Sequence, residues 1–514
     1  MVNAAYIAYK DGMRGFEPQR SERVVLCAIV AIALVLRFFR LAHQSLWVDE
    51  ILSYKAFVSV AGVPYWKKFL YDVHGPLYSL FMHFWSAVSK SDFWLRTPSA
   101  VAGALAVYAL FRWFVEIGRR DLALPAALFL ALSPFHLYYS QELRFYAFLS
   151  LFAVIALIAF ERFRAAPTAR SGALLGVAFA CACLAHFSAL FLGAAFLVYL
   201  VFSGRFRGAH LRWGALAAAI ALVMISPWIY REIWFLRQIH IVDISTLPVE
   251  ERLRGALTLS RWSYPYALFA FSAGYSLGPG LRELHGATTA SGLFAKHAVA
   301  IGATGILFGG LLLSGIIRSA RRGQLGIFLA VILVTIASAT AVTAFNIKVF
   351  NVRYLMCAFP LYIALLAYGL PAGKRSRVIA AAAVCALMLV SDRNYYFDPA
   401  YARENVRDAV ATVMKGEEIG DLIYAPVVEE VAAHYYRGPN RIRFVDPSGL
   451  GKNLLDEEIA GGFASHRRIW HLRSRSWDKD PGDMLIRSLR ALGTAEMTWT
   501  APGVDLTLYV KRMQ

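Results

Sequence analysis

The sequence predicts a polytopic α-helical membrane protein with about eleven transmembrane helices and a small C-terminal α/β domain outside the membrane. Hydrophobic residues make up 58% of the 514 residues and charged residues only 17%, a composition more apolar than that of soluble globular chains. Many apolar runs approach the ~20 residues that cross a bilayer. The net charge of +19 is concentrated in short loops between those runs, which indicates membrane topology and no nucleic-acid partner.

Basic loops orient the predicted helices. If all the basic clusters are cytoplasmic, the N-terminal segment 1–23 is cytoplasmic as well. The apolar run 76–88 is then expected to lie along the interface as an amphipathic helix, because it is too short to span. The clusters are 119–120, 162–170, 205–212, 318–322 and 374–377. The predicted spans are about 24–42, 97–116, 122–139, 145–161, 172–186, 188–202, 213–230, 297–317, 324–344, 354–370 and 378–391.

This topology divides the chain into a membrane domain, 24–391, and an outer domain, 392–514. The membrane domain has two large outer loops, 43–96 and 231–296. In the outer domain, short apolar runs alternate with helical patterns, which is typical of a small α/β domain. The runs that predict strands are 421–425, 441–445, 468–472 and 504–510, and the helical patterns lie near 402–414, 427–437 and 482–492.

The unusual polar residues all fall on the outer face in this topology. Asp49 and Glu50 directly follow the first span, and Glu142 and Arg144 lie in a short loop after the third. Ionisable residues near the bilayer are costly unless they face water or each other, so they indicate a functional site. Further members of the outer face are His74, His186, Lys348 and Arg353.

Each of these residues also has a structural interpretation. The Asp49–Glu50 pair could cap a helix, and His74 could belong to a turn before a helix that begins with proline. The Glu142–Arg144 pair could be a local ion pair of little energetic value. Arg96 is expected to be an anchor at the level of the lipid headgroups, and His186 a structural turn residue.

Together the residues on this face predict a definite chemistry. Carboxylates can act as a general base or hold a cation, and arginines can clamp a phosphate with two hydrogen bonds. An apolar groove between spans can hold a lipid tail. These are the parts needed to transfer a group from a lipid phosphate to a hydroxyl or amine. The sequence contains no Walker-type loop and no dinucleotide-binding fingerprint that would indicate a soluble nucleotide.

Five motifs, in this order, resemble those of membrane glycosyltransferases of the GT-C superfold. The most similar members are bacterial relatives of the protein O-mannosyltransferases and of the lipid A aminoarabinose transferase. Gly75 stands where the family motif has a proline, and we expect it to loosen that turn. The motifs are Trp47-Val48-Asp49-Glu50, His74-Gly75-Pro76-Leu77-Tyr78, the segment 140–146, the segment 274–279 followed by Glu283-Leu284-His285, and Arg353-Tyr354-Leu355.

The resemblance implies an inverting transferase that uses a polyprenyl-phosphate sugar, in bacteria usually an undecaprenyl-phosphate monosaccharide. Such an enzyme lies in the inner membrane with its active site on the periplasmic side. On this basis Asp49 is the expected base, and Glu50 is expected to orient acceptor or sugar. Glu142 would be a second carboxylate for sugar or cation, and the remaining donor-binding candidates are Arg144, Arg353, His74, Lys348, Tyr146, Tyr275 and Tyr354.

Some members of the family hold a divalent metal ion and others do not. No tight cluster of metal-ligating residues lies near the predicted site, so we expect no required cofactor. A weakly bound Mg²⁺ or Mn²⁺ at Asp49, Glu50 and Glu142 is left open. The expected partners are the lipid bilayer, a polyprenyl-phosphate-linked sugar and a glycolipid, polysaccharide or protein acceptor. The identities of the sugar and the acceptor stay open.

Two other functions remain as alternatives. A transporter or flippase for lipid-linked sugars would have inverted repeats and broken helices at the membrane midplane. An O-antigen ligase or polymerase would carry its functional residues in one large late outer loop. Neither pattern is visible, because the acidic pair comes early and the polar groups gather near one face.

Overall fold

The computed structural model describes residues 20–58, 75–238, 262–286, 290–345, 350–480 and 482–512. These residues are mostly helical, and a helix lies in each of the eleven predicted spans. The first ten helices are α1 (Arg20–Phe38), α2 (Val48–Phe57), α3 (Pro76–Trp85), α4 (Asp92–Glu116), α5 (Arg120–Leu132), α6 (Pro134–Ser140), α7 (Tyr146–Ala165), α8 (Ala169–Ala185), α9 (Ala189–Phe202) and α10 (Gly208–Gln238). The next seven are α11 (Ser263–Ala273), α12 (Leu281–Gly286), α13 (Ala290–Lys296), α14 (Ala298–Arg321), α15 (Leu325–Ala344), α16 (Phe359–Gly369) and α17 (Lys374–Phe397).

The predicted multi-span membrane architecture is confirmed. Among the described residues, six helices are long and apolar enough to cross a membrane: α4, α7, α10, α14, α15 and α17. Helices α5 and α6 meet at a bend of 58° and together would make a seventh span. The bend falls at Pro134, which has no backbone N–H to continue the α5 ladder. Helices α8, α9 and α16 are shorter, with 17, 14 and 11 residues.

The membrane helices form a packed centre and an apolar periphery. Every residue of α16 is buried, and α4 and α7 also bury most of their length. In contrast, α14 exposes large apolar side chains, among them Val299 and Ile306. A helix that is apolar on its exposed side is suited to contact lipid chains.

Glycine allows the peripheral helix α14 to approach the central helix α16 closely. A Cβ on Gly315 of α14 would lie 2.0 Å from the carbonyl oxygen of Leu365 on α16. In the reverse direction, a Cβ on Gly369 of α16 would lie 2.0 Å from the carbonyl oxygen of Leu311 on α14. Small residues at such contacts let two helix backbones pack directly, which is how helices associate in membranes.

The predicted interfacial segment forms α3, which begins with Pro76 at its first turn. Gly75 precedes it with φ −60° and ψ 138°, values that most residues adopt readily. The expectation that Gly75 loosens this turn is wrong. A Cβ there would lie 2.1 Å from the carbonyl oxygen of Leu184, so the glycine permits close contact between the start of α3 and the end of α8.

The C-terminal region contains a five-stranded sheet flanked by helices. Its strands lie in the order β2-β1-β3-β5-β4; β1 pairs in parallel with β2 and β3, whereas β5 pairs antiparallel with β3 and β4. Helix α17 continues to Phe397, past the predicted domain boundary. The elements are α18 (Val406–Gly416), β1 (Leu422–Tyr424), α19 (Glu429–Tyr435), β2 (Arg441–Arg443), α20 (Pro447–Ser465), β3 (Arg468–Ser474), α21 (Ser476–Lys479), α22 (Met484–Leu492), β4 (Gly493–Ala501) and β5 (Val504–Lys511).

Four of these strands and three of these helices were predicted, whereas β4, α20 and the short α21 were not. Strand β4 is exposed over most of its length, although its apolar residues alternate with polar ones as in a half-buried strand. These apolar residues are Ala495, Met497, Trp499 and Ala501, and the prediction from the sequence missed this signal. Helix α20 contains Gly451 with φ 70°, and several glycines weaken its helical pattern.

The sheet region packs against the first outer loop. The Ser45 hydroxyl donates to the Glu404 carbonyl oxygen at 2.5 Å, and the Leu46 backbone N–H donates to the Tyr435 hydroxyl at 2.8 Å. Lys55 of α2 pairs with Glu430 of α19 at 2.6 Å. These contacts hold the sheet beside α2, the helix that begins with the acidic pair.

Candidate active site

Glu50 is a fully buried carboxylate at the centre of a hydrogen-bond network. Its side chain is 0% exposed and receives two hydrogen bonds from Arg96, at 2.8 and 2.6 Å. The backbone N–H groups of Leu143 and Trp47 donate to it at 2.7 and 3.3 Å, and Arg403 approaches it at 3.4 Å. Burial acts to raise the pKa of Glu50, but the Arg96 charge and hydrogen bonds outweigh it, so the pKa lies below its usual value.

The helix-cap interpretation is correct for Glu50, the third residue of α2. Its side chain returns to the backbone N–H of Trp47, the residue before the helix, as in one half of a capping box. This geometry does not fit the prediction that Glu50 orients acceptor or sugar, because protein donors already surround both of its oxygens. Glu50 instead holds α2 against the loop at Leu143.

Asp49 lies on the partly exposed side of the same helix, with a side chain 23% exposed. Its Oδ2 accepts a hydrogen bond from Arg353 at 2.7 Å and lies 4.0 Å from Arg144. Arg144 also donates to the Asp49 backbone carbonyl oxygen at 3.0 Å and to Ser53 at 2.8 Å. Burial acts to raise the pKa of Asp49, but the charges of Arg144 and Arg353 lower it below its ordinary value.

Glu142 is the third carboxylate, and it is also fully buried. Its Oε1 accepts a hydrogen bond from Arg403 at 3.0 Å. Its Oε2 has no hydrogen-bond partner among the described residues. Burial, opposed by the Arg403 charge and reinforced by the neighbouring Glu50, raises the pKa of Glu142 to about 7. Glu142 is therefore close to its point of half-ionisation at neutral pH.

Aromatic side chains line the cluster. The guanidinium of Arg353 lies 5.5 Å from the ring centroid of Tyr146, and that of Arg403 lies 4.4 Å from the ring of Tyr138. Tyr354 lies within ring-contact distance of His186, at 5.9 Å. Planar guanidinium groups stack well on such faces, so these rings hold the arginines in place.

Tyr275, another predicted contact residue, lies farther from the acidic pair. Its hydroxyl shares a hydrogen bond with the Tyr139 hydroxyl at 2.9 Å, and its ring packs on Phe135 and Tyr138. Burial raises its pKa well above the ordinary value. The described residues therefore give Tyr275 a packing role beside the cluster.

Two predicted site residues, His74 and Lys348, lie outside the described residues. The structure brings the other predicted residues into one connected network around Asp49 and Glu50, with Tyr275 at its edge through the ring of Tyr138. His186, predicted as a structural turn residue, is buried against Phe145 and has its Nδ1 2.8 Å from the Ser188 hydroxyl.

Sequence reasoning missed two arginines of this network. Arg96 was expected to be a headgroup anchor, and that expectation is wrong: its side chain is 1% exposed and forms the ion pair with Glu50. Arg403, which links Glu50 and Glu142, follows the last membrane helix closely in sequence. The available signal for Arg403 was the polar run Ala402-Arg403-Glu404 shortly after the last membrane helix. The neighbouring sequence does not identify its two partners, which lie hundreds of residues away.

The carboxylates of the cluster do not form a metal site as they stand. Among the residues that the structure describes, no three His, Cys, Asp or Glu side chains come together closely enough to hold an ion. Asp49, Glu50 and Glu142 are each paired with an arginine, which competes with a cation for their oxygens. The independence from a metal cofactor stays a prediction.

One segment of the chain matches a protein-family model. Residues 73–231, which contain α3 to α9 and most of α10, match the family described as dolichyl-phosphate-mannose-protein mannosyltransferase. No curated protein matches the chain in sequence.

Solved structures of membrane glycosyltransferases are similar in fold. The oligosaccharyltransferase of Archaeoglobus fulgidus, in complex with Zn and sulfate, has a TM-score of 0.50 and 13% identity over 95% of this chain and 73% of that chain. ArnT from Cupriavidus metallidurans, bound to undecaprenyl phosphate, has a TM-score of 0.46 and 14% identity over 95% of this chain and 98% of that chain. The S. cerevisiae protein O-mannosyltransferase Pmt1-Pmt2 complex, bound to the sugar donor, has a TM-score of 0.34 and 17% identity over 43% of this chain and 34% of that chain.

The chain has the fold of GT-C membrane glycosyltransferases, and the family match over residues 73–231 indicates a glycosyltransferase. The chain is related to the protein O-mannosyltransferases through the segment that includes α3, Glu142 and Arg144. The family resemblance predicted from the sequence motifs is thereby confirmed.

Proposed function

We propose that this glycosyltransferase moves a monosaccharide from a polyprenyl-phosphate donor, undecaprenyl phosphate in a bacterial inner membrane, to an envelope acceptor on the periplasmic side. One observation carries the proposal: Asp49, the partly exposed carboxylate of the cluster, is held between Arg144 and Arg353. A carboxylate next to two arginines suits a reaction that removes a proton from the acceptor and releases a phosphate anion.

The reaction is a single displacement that inverts the anomeric centre. A lone pair of the acceptor oxygen or nitrogen forms the new bond to the anomeric carbon, while the bond from that carbon to the phosphate oxygen breaks. The acceptor proton passes to Asp49, and the bonding electron pair leaves with the polyprenyl phosphate. Because the leaving group is a stable anion, cationic side chains are sufficient to stabilise it and no strong acid is required.

The arginines connect donor binding to the activation of Asp49. The Nε of Arg353 has no hydrogen-bond partner among the described residues, which leaves a donor for a phosphate oxygen. A bound phosphate competes with Asp49 for Arg353, and the weakened ion pair lets the pKa of Asp49 rise toward that of a useful base. Asp49 is then a stronger base when the donor is present than when it is absent.

The two buried carboxylates, Glu50 and Glu142, have supporting roles in the proposed reaction. Glu50 positions the helix that carries Asp49 through its bonds to Arg96 and Leu143. The unpartnered Oε2 of Glu142 is an acceptor for a sugar hydroxyl. Tyr146 and Tyr354 border Arg353 and complete the donor side of the site.

Asp49→Asn tests the proposed function. Purified protein in lipid nanodiscs is incubated with an undecaprenyl-phosphate sugar and envelope glycolipids, and released undecaprenyl phosphate is measured by mass spectrometry. Loss of a general base lowers turnover about 10²- to 10⁴-fold, and the amide cannot accept the proton. The matched control is Glu457→Gln, an exposed carboxylate on α20, which retains turnover.

Three results would contradict the proposal. Wild-type turnover in Asp49→Asn would remove Asp49 from the role of base. Movement of lipid-linked sugar across proteoliposomes without release of the lipid phosphate would identify a transporter instead. Use of a lipid diphosphate oligosaccharide, and not a lipid monophosphate sugar, would identify a ligase.

A further inference from the structure

The C-terminal sheet has a topological switch point that faces α2. The chain passes from β1 to β2 on one side and then returns through α20 to β3 on the other side of β1. The carboxyl ends of β1 and β3 therefore lie next to each other, with their following connections running apart. In open parallel sheets, this crevice is where ligands bind. Helix α19, which follows β1, is paired with α2 through Lys55 and Glu430.

The backbone is unusual at both strand ends. After β1, Val427 has φ +65° between Pro426 and Val428, and the Val428 N–H donates to the Pro426 carbonyl oxygen at 2.7 Å. After β3, Arg475 has φ +50° and ψ +42°, in the left-handed region that L-residues seldom adopt. Unfavourable backbone conformations of this kind concentrate at ligand sites.

Arg475 is the unpaired cation of this edge. Arg473, two residues earlier, pairs with Asp483 at 2.6 Å and with Asp505 at 3.1 Å. In contrast, Arg475 forms neither an ion pair nor a side-chain hydrogen bond with any residue that the structure describes. Its Nε, like that of Arg473, is buried without a partner among these residues. A buried donor without a partner costs free energy, which a bound acceptor atom would recover.

A second unpartnered donor lies beside it. The Arg475 guanidinium is 6.0 Å from the centroid of the Trp47 ring. The Trp47 indole Nε1 is also buried and lacks a hydrogen-bond partner within the described ranges. Asp49 lies two residues beyond Trp47, and the Arg475 charge acts on its carboxylate.

These donors approach Asp49 from a different element than the phosphate-binding arginines do. Arg144 lies in the loop before α7, and Arg353 lies in a 3₁₀ turn, Val352–Leu355, before α16; both helices belong to the membrane domain. Arg475 belongs to the sheet and reaches the start of α2. Cationic groups that reach a base from two different elements fit two substrates, a lipid phosphate at one group and an anionic acceptor at the other.

We propose that Arg475 and Trp47 form an acceptor subsite, and that the acceptor is a glycolipid whose head group carries a phosphate or carboxylate beside the atom that is glycosylated. This inference rests on the proposed glycosyltransferase function. A lipid-anchored acceptor fits because Asp49 follows closely after the end of α1, so the reacting atom must come to the membrane surface.

The test uses the full-length protein in nanodiscs with an undecaprenyl-phosphate monosaccharide that is radiolabelled in the sugar. Envelope lipids of the expressing cell are separated by anion exchange into neutral and anionic fractions, and each fraction is supplied as acceptor. We expect the label to enter the anionic fraction. Phosphatase treatment of that fraction before the assay distinguishes the two sources of charge: incorporation of label is lost if the group is a phosphate monoester and retained if it is a carboxylate.

Arg475→Gln should raise the half-saturating concentration of the anionic fraction at least tenfold, since it removes a hydrogen bond to a charged group. The half-saturating concentration of the donor should stay within twofold. Trp47→Phe removes the indole N–H together with part of the ring but keeps an aromatic face, and it should produce a smaller change in the same direction. Arg441→Gln, at an exposed arginine of β2, is the matched control and should change neither value.

Three outcomes would overturn the inference without touching the proposed function. The first is label that enters only neutral lipids. The second is an unchanged half-saturating concentration of the anionic fraction in Arg475→Gln. The third is a rise only in the half-saturating concentration of the donor, which would assign Arg475 to the donor phosphate. Absence of sugar transfer and of donor consumption in the wild-type protein would instead contradict the proposed function itself.

Discussion

At the scale of single residues, the adjacent carboxylates Asp49 and Glu50 have different environments. Successive residues of a helix point about 100° apart, so α2 turns Glu50 into the protein and Asp49 toward the partly exposed side. Glu50 is enclosed by Arg96 and two backbone N–H groups, whereas Asp49 shares its charge with Arg353. The first environment suits a structural ion pair, and the second suits a base.

Glu50→Gln should destabilise the protein markedly. The substitution leaves the buried Arg96 guanidinium without a counter-charge, and breaking a buried pair in this way costs about 3–5 kcal/mol. Thermal unfolding of the purified variant in detergent, compared with Glu457→Gln, measures the effect. A melting temperature equal to that of the control would contradict the structural role of Glu50.

Glu142 should make stability depend on pH. Its pKa is raised to about 7 from an ordinary value of 4.5, so between these values the folded protein keeps a proton that the unfolded chain has released. The stability that Glu142 contributes is therefore full below pH 4.5 and is lost as the pH rises through 7. Melting temperatures measured from pH 4.5 to 8 should show this fall in the wild-type protein and a flatter profile in Glu142→Gln. Parallel profiles would show that Glu142 does not titrate in this range.

At the scale of elements, close backbone approach decides how the helices pack. Gly75 allows the start of α3 to contact the end of α8, and Gly315 and Gly369 allow α14 and α16 to contact each other. In each case the atom that an added Cβ would meet is a backbone carbonyl oxygen, which cannot move away like the end of a flexible side chain. The helices themselves must separate to accept the change.

Gly315→Ala therefore should destabilise the membrane domain, although alanine favours helix formation. The expected loss is about 1–3 kcal/mol, typical of overpacking in a tightly packed interior. Gly309→Ala on the same helix is the matched control, because a Cβ at Gly309 meets no atom within 4 Å. Both variants are compared by thermal unfolding in detergent. If the two alanines have the same effect, helix propensity and not close packing decides the outcome.

At the scale of the whole molecule, Arg403 joins the C-terminal region to the acidic cluster. It pairs with Glu142 at 3.0 Å and with Glu50 at 3.4 Å, and it stacks on Tyr138. Arg407 adds hydrogen bonds to the carbonyl oxygens of Ala42 and His43, at 3.0 and 2.7 Å. The sheet and the membrane helices are thus connected at the candidate site itself.

Arg403→Gln should loosen this connection. The neutral side chain removes the only charged partner of Glu142 among the described ion pairs, so the sheet region should open more often from the membrane domain. Limited trypsin digestion should then cleave the segment 404–420 faster than in the wild-type protein. Arg441→Gln controls for the loss of one positive charge. Equal cleavage rates in the two variants would show that other contacts hold the sheet in place.

The sequence alone determined the features that depend on local patterns. Apolar runs of membrane length predicted where the helices lie, alternating short patterns predicted four of the five strands, and ordered motifs predicted the class of the protein. These signals are local because hydrophobic periodicity is a property of neighbouring residues. Only the tertiary structure decided which carboxylate is buried, and which arginine each one binds. Glu50 pairs with Arg96 and Arg403, which are 46 and 353 residues away, and such pairing depends on how the helices and the sheet pack.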